Sequence, residues 1–178
     1  MRKDAGLAAA KLVEKVREIA ITVGGTQRAT CGMIKYFPNA INVIPGKVVL
    51  TVDLRNSAET GLADAEHLLL MNARIIEKSD DVKIELKLLE KVPAVKFDDR
   101  VVSTLEKVSD TLGIRFRRMI SGAGHDAQLM SSLCPSAMIF IPSVGGISHS
   151  PDEYSSPEAL ADGGNVLLLS LLLFAGVA

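Results

Sequence analysis

Two periodicities alternate along the chain. From Asp4 to Ile21, Leu7, Ala8, Leu12, Val16 and Ile19 recur at spacings of three and four, which lays one apolar stripe along a helix. Asp4 is placed to cap this helix and Gly24-Gly25 to stop it. Thr26–Tyr36 then reads as a strand of mixed alternation, broken at Phe37-Pro38-Asn39. Pro45-Gly46 predicts a tight turn. Lys47–Arg55 is a strong strand, with Val48, Leu50, Val52 and Leu54 alternating against Val49, Thr51, Asp53 and Arg55. Asn56-Ser57 opens a second helix over Ala58–Lys78, with Leu62, Ala65, Leu69 and Ala73 on one side. Ser79-Asp80-Asp81 turns into Val82–Leu89. There Val82, Ile84, Leu86 and Leu88 alternate with Lys83, Glu85 and Lys87, the pattern of a strand with one packed and one wet face.

The order helix, strand, strand, helix, strand is a split βαβ arrangement without its first strand. Such a sheet has an unpaired edge, to be covered by another chain or by a strand preceding Met1. Val92-Pro93-Ala94 marks a boundary within a linker from Lys91 to Asp98, and divides the chain into residues 1–92 and 93–178. The second part predicts a helix over Arg100–Leu112, ended by Gly113, and a strand over Ile114–Ile120. A helix over His125–Leu133, a doubly buried strand over Ala137–Ile141 and a last helix from Ser156-Pro157-Glu158 to about Phe174 complete it. The fold class is α/β, in its α+β form.

Composition narrows the function classes. A hydrophobic content of 48% with 23% charged residues is that of a globular chain. A net charge of −1 gives no electrostatic basis for binding nucleic acid or a membrane surface. Arg115, Arg117 and Arg118 read as a solvated strand face. The apolar run at the C-terminus is shorter than the roughly 20 residues of a membrane span, which predicts a buried helix. The N-terminal segment carries charges throughout, unlike a signal peptide. Cys31 and Cys134 are too few and too far apart for a disulfide framework or a structural zinc site, so reduced thiols and a cytoplasmic location are expected.

Candidate chemistry gathers in Ser121–Glu153, which holds His125 and His149 in two loops around an apolar segment. His149, in a Gly-Gly-Ile-Ser-His-Ser-Pro loop, could ligate zinc or a related divalent ion, with Asp152 or Glu153 orienting it or lying nearby around the site. The alternative is an ordinary loop histidine in a turn that is glycine-rich for steric reasons. His125 follows Gly122-Ala123-Gly124, where backbone approaches a ligand closely and a helix start favours an anion; the alternative is a simple N-cap region. Asn42 and Arg55 flank the Pro-Gly turn and offer an amide and a planar fork to a carboxylate, unless Arg55 pairs with Asp53 or a helix end. His67, mid-helix among leucines, reads as structural. A hydrolytic metal site needs at least three protein ligands, and His149 is the one convincing candidate; no HxD, HExxH, Cys-x-x-Cys, nucleophile elbow or Walker loop is present.

GAGHDAQ followed by MIFIPSVGGISHSPDE, with PNAINVIPGKVVLTVDLR upstream and RKDAGLAAAKL at the start, resembles the amidohydrolase branch of the M20 metallopeptidase clan. That branch holds the N-carbamoyl-L-amino-acid hydrolases, allantoate amidohydrolases and β-ureidopropionases. The resemblance covers nearly the whole chain in the family's order, and implies a ferredoxin-like lid and dimerisation domain followed by the C-terminal part of an α/β metallohydrolase catalytic domain. It implies His149 as a ligand of a divalent metal, zinc or manganese. It implies Asn42 and Arg55 as the grip on a substrate carboxylate, with Gly124 and His125 lining the substrate pocket. The family's remaining metal ligands and its general-base Glu correspond to positions upstream of Met1. The resemblance therefore implies a portion of a hydrolase of linear amide or ureido C–N bonds, a homodimer through the lid, and a chain inactive by itself. The alternative is a dimerisation or carboxylate-binding module without catalysis.

Overall fold

The computed structural model describes residues 3–177, and the chain divides into two compact units, Met1–Ala94 and Val95–Ala178. The first unit begins with helix α1, Ala5–Val23, whose start is held by Asp4 Oδ1 accepting from Leu7 N–H at 3.0 Å. Its expected stripe is the buried face: Ala8, Ala9, Leu12, Val16 and Ile19. It ends at Gly24, where a φ of 68° takes the chain through a conformation that costs glycine least.

Strands β1, Arg28–Phe37, and β2, Lys47–Arg55, pair antiparallel, with Arg28 opposite Arg55 and Phe37 opposite Lys47. The register shifts between Thr30 and Met33, so Cys31 and Gly32 together face one residue of β2 and make a bulge. Helix α2, Glu59–Asp80, returns over the hairpin. Its start is organised by Asn56, which accepts from Ala58 N–H (2.9 Å) and Thr26 Oγ1 (3.0 Å) and donates to the buried Gln27 (2.9 Å). One amide thus ties the entry of β1 to the entry of α2. Ala8, Leu12 and Ile76 form the core where α1 meets α2, with Leu50 of β2 and Leu69, Val82 and Ile84 packed on it. Lys11 Nζ bridges to both oxygens of Asp80, at 2.7 and 2.9 Å, and closes the far end of the helix pair.

Val82–Leu89 is not a strand. Val82 and Ile84 pack against the core as the alternation predicts, but the segment has no ladder. Its first bonds return to α2, from Val82 N–H to Glu77 O and from Ile84 N–H to the Glu77 carboxylate. The alternation reports which face is buried; a strand also needs a neighbouring backbone.

The second unit repeats this lesson. Helix α3, Asp99–Thr111, is capped by Asp98, whose Oδ1 accepts from Arg100 and Val101 N–H at 2.9 and 3.1 Å. Helix α5, Pro157–Phe174, packs against α3 and is capped by Ser156. Between them lies only a short helix α4, Asp126–Met130, and a 3-10 turn at Val144–Gly146. Ile114–Ile120 and Ala137–Ile141, both expected as strands, belong to no ladder among the described residues, so neither forms a strand. The three arginines are exposed as expected, and Arg118 forks onto Glu106 at 2.6 and 2.8 Å. Ala137–Ile141 does press against α5: a Cβ on Gly163 would meet Ile141 Cγ2 at 2.5 Å, so glycine permits that approach.

The last helix is not buried as expected. Only Val166 and Ser170 are enclosed, while Leu167, Leu168 and Leu171 are each more than half exposed. It is the one helix among the described residues long and apolar enough to cross a membrane by length and composition. A cavity of about 1090 Å³, lined by Val101, Leu105, Ile139, Ile141, Leu160 and Leu171 among others, opens beside it.

Asp80 gives the first unit a pH dependence. The hydrogen bond from Lys11, helped by that from Ser79, holds its carboxyl below the ordinary value. A depressed carboxyl contributes stability above the ordinary value, near ~3.9, that is lost as pH falls through the folded-state value. Asp80→Asn is expected to melt at a lower temperature than the parent at pH 7. The gap should close steadily below about pH 4; a gap that persists in acid assigns the loss to something other than the ion pair.

Candidate functional site

The five candidate residues fall in both units. In the first, Arg55 closes β2 and its side chain lies on the same face as Asp53, two residues earlier. The two form a fork: Arg55 Nε to Asp53 Oδ1 at 2.9 Å and Nη2 to Oδ2 at 2.8 Å. This hydrogen bonding lowers the Asp53 carboxyl below its usual range and raises the Arg55 guanidinium. Of the readings open from the sequence, the pair with Asp53 is the one found. Both side chains are half exposed, so the pair is accessible to an incoming anion.

Asn42 is exposed in the loop between β1 and β2. The hairpin does not bring it to Arg55: β2 runs from the loop end at Lys47 to Arg55 at the far end. Eight strand steps of about 3.3 Å put the two ends roughly 26 Å apart, far more than one small carboxylate spans.

In the second unit, His125 precedes α4 with φ −139° and ψ 149° and makes no side-chain cap. Its ring is nevertheless held. Nε2 lies 2.7 Å from Ser121 Oγ, which also accepts from Ala123 N–H at 3.2 Å. Phe140 meets the imidazole edge to face, with centroids 5.6 Å apart and planes at 64°. The expected anion corner is not built here, because α4 is five residues long and too short to sum a useful dipole. Nor do the glycines serve a tight turn. Neither Gly122 nor Gly124 has a left-handed φ, and a Cβ on either would meet nothing within 4 Å, so this side of the turn is open surface. Ser121 was not singled out from the sequence. Its spacing of four from His125 across two glycines is the signal that would have found it.

His149 is exposed and takes a left-handed backbone, φ 56°. Glu153 reaches it, but through the main chain: Oε2 accepts from His149 N–H at 3.1 Å. The carboxylate therefore fixes the loop and not the imidazole, contrary to the expectation that it orients the ring. Asp152 N–H donates to Ser150 Oγ at 3.2 Å within the same turn. Among the described residues no group of three His, Cys, Asp or Glu side chains converges, so His149 supplies one donor where a catalytic ion needs three. These residues alone do not fit a metal, and they yield no metal-dependent step. His67 is exposed on α2, and the two cysteines are free thiols, with that of Cys31 raised by burial.

Residues 4–172 match peptidase family M20/M25/M40. The chain is 36% identical over 172 residues to a ureidoglycolate hydrolase of Oryza sativa subsp. japonica, covering 96% of this chain and 36% of the relative. It is 35% identical over 170 residues to an allantoate amidohydrolase of Escherichia coli, covering 96% and 41%. The crystal structure of an amidase of the hydantoinase/carbamoylase family from Burkholderia vietnamiensis superposes with a TM-score of 0.92 at 34% identity, over 96% of this chain and 41% of that one. The chain thus spans well under half the length of the relatives it matches. With the fold and the family profile agreeing from α1 to α5, the chain belongs to peptidase family M20/M25/M40, in its amidohydrolase branch.

Proposed function

We propose that this chain is part of a metal-dependent hydrolase of linear amide or ureido C–N bonds, acting on a small carboxylate of the N-carbamoyl-L-amino acid or allantoate type. The observation that carries this reading is the agreement with amidohydrolases over 96% of the chain in both sequence and fold. Within it, His149 is one ligand of a divalent ion, zinc or manganese. Arg55 exchanges Asp53 for the substrate carboxylate, and Gly124 and His125 line the pocket. Asn42 serves the same carboxylate, and its distance from Arg55 along the hairpin favours a site to which two copies contribute. The free thiols suit a cytoplasmic setting.

A direct test uses the purified chain with N-carbamoyl-L-methionine or allantoate and added Mn²⁺ or Zn²⁺. No turnover is expected, because one donor cannot hold a catalytic ion. Turnover that disappears in His149→Ala would overturn that expectation. The ligand is expected to raise the melting temperature of the parent and not of Arg55→Ala, reflecting a stabilisation of about 2.7 kcal/mol at a hundredfold excess over Kd. An equal shift in both would remove Arg55 from the site.

The second reading, a dimerisation module, rests on the two-stranded sheet, which leaves an outer edge open on each strand. Light scattering at micromolar concentration is expected to give a dimer; a clean monomer excludes it.

The His149 backbone adds a separate expectation. A left-handed φ costs a residue with a Cβ about 1–2 kcal/mol relative to glycine. His149→Gly should therefore be about 1 kcal/mol more stable than His149→Ala by chemical denaturation. Equal stability would show that the loop relaxes out of this conformation.

A further inference from the structure

We propose that Ser121 is a positioning residue for His125, fixing the neutral imidazole with its proton on Nδ1 and so presenting an N–H donor to a carboxylate or carbonyl oxygen of a bound ligand. The proposal rests on the reading of His125 as lining the substrate pocket; the placement of the proton does not.

The geometry favours one placement of the proton. Ser121 Oγ is 2.7 Å from His125 Nε2 and accepts from Ala123 N–H at 3.2 Å. A hydroxyl has one proton and two lone pairs. The Ala123 amide occupies a lone pair. The second lone pair could accept an Nε2–H, but donation to Nε2 is the arrangement that gives the hydroxyl proton a partner among the described residues, so we take the short contact as O–H donating to nitrogen. An imidazole that accepts at Nε2 carries its proton at Nδ1 when neutral. Phe140, edge to face at 5.6 Å, limits rotation of the ring about this bond. Ring orientation and tautomer are then set together by one hydroxyl and one aromatic edge. Ser121 and His125 lie on one short stretch, which has an open side at Gly122 and Gly124. A ligand oxygen that reaches Nδ1 then meets a donor and not an acceptor, which suits the negatively charged end of a carboxylate substrate and disfavours a cationic one.

The test is the tautomer of His125, read from long-range ¹H–¹⁵N correlations of its ring in the uniformly labelled 178-residue chain at about pH 8, above the ordinary imidazole pKa. The signal is assigned by its loss in His125→Gln. The parent is expected to be mainly the Nδ1–H form. Ser121→Ala should invert the populations to mainly Nε2–H, and Ser121→Thr, which keeps the hydroxyl, should restore the parental pattern. Amide dispersion of each variant monitors folding. If Ser121→Ala unfolds, the parent and Ser121→Thr spectra still decide the matter. A parent mainly in the Nε2–H form overturns the proposal, as does a folded Ser121→Ala with unchanged ratios. None of these readouts requires turnover, so their failure is separable from failure of the hydrolase reading.

Discussion

A strand joins a sheet only where its N–H and C=O groups find a neighbouring backbone, and this chain supplies that neighbour once among the described residues, in β1–β2. The first unit is arranged by that ladder. It fixes which face of β2 carries Leu50, and Leu50 is what the Ala8, Leu12 and Ile76 cluster packs on. It also fixes Arg55 opposite Arg28, with Asp53 two positions away on the same face to neutralise it. The hydrogen bonds of Asn56 to Thr26 and Gln27 then carry the ladder's position into the start of α2. Val82–Leu89 shows the other side of the constraint. It has the right alternation and two residues on the core, but its first bonds go to Glu77 and it joins no ladder with the outer edge of β2.

The same accounting applies to apolar side chains in the second unit. Gly163 brings α5 close to Ile141, and Val166 and Ser170 are enclosed, yet the leucines around them stay open beside a large apolar cavity. Exposed apolar surface of this extent marks a face that associates. In the solved amidase that shares the fold, the equivalent structure is 41% of the chain. Three helices of this chain, α1, α3 and α5, are set by local signals: Asp4, Asp98 and Ser156 each satisfy helix-start amides with their own side chains. Those caps need nothing from distant chain, whereas the start of α2 depends on the bonds of Asn56 to Thr26 and Gln27.

That division also explains what could be read from the residues. Periodicity located α1, α2, α3 and α5 to within a residue or two, and β2 at its ends, because stripe, cap and glycine stop are all local. It failed at Ile114–Ile120 and Ala137–Ile141, because pairing is a property of two segments and a pattern describes one. It failed for burial of the last helix for the same reason. In the candidate site, residue types and loops were legible, and their partners were not. The Arg55–Asp53 fork could be foreseen from an i, i+2 spacing on a strand. The hold of Ser121 on His125 depends on how a glycine-containing turn folds back, which composition does not specify. The separation of Asn42 from Arg55 follows only once the hairpin register is known.

The two histidines of the second unit end in opposite states, and the difference is physical. At His149 the backbone is fixed and the ring is not: Glu153 binds its main-chain N–H, the φ is left-handed, and the imidazole has no hydrogen-bond partner among the described residues. At His125 the ring is fixed, by the Ser121 hydroxyl and the Phe140 edge, on a backbone of ordinary extended geometry. A metal ligand benefits from the first arrangement. The loop points the residue at low entropic cost while both ring nitrogens stay available to an ion and to the group that orients the ring. A residue that must donate a hydrogen bond to an uncharged or anionic ligand benefits from the second, since a rotating imidazole would present donor and acceptor in turn. The loops flanking Ala137–Ile141 therefore hold their histidines in two different ways, one by its main chain and the other by its ring.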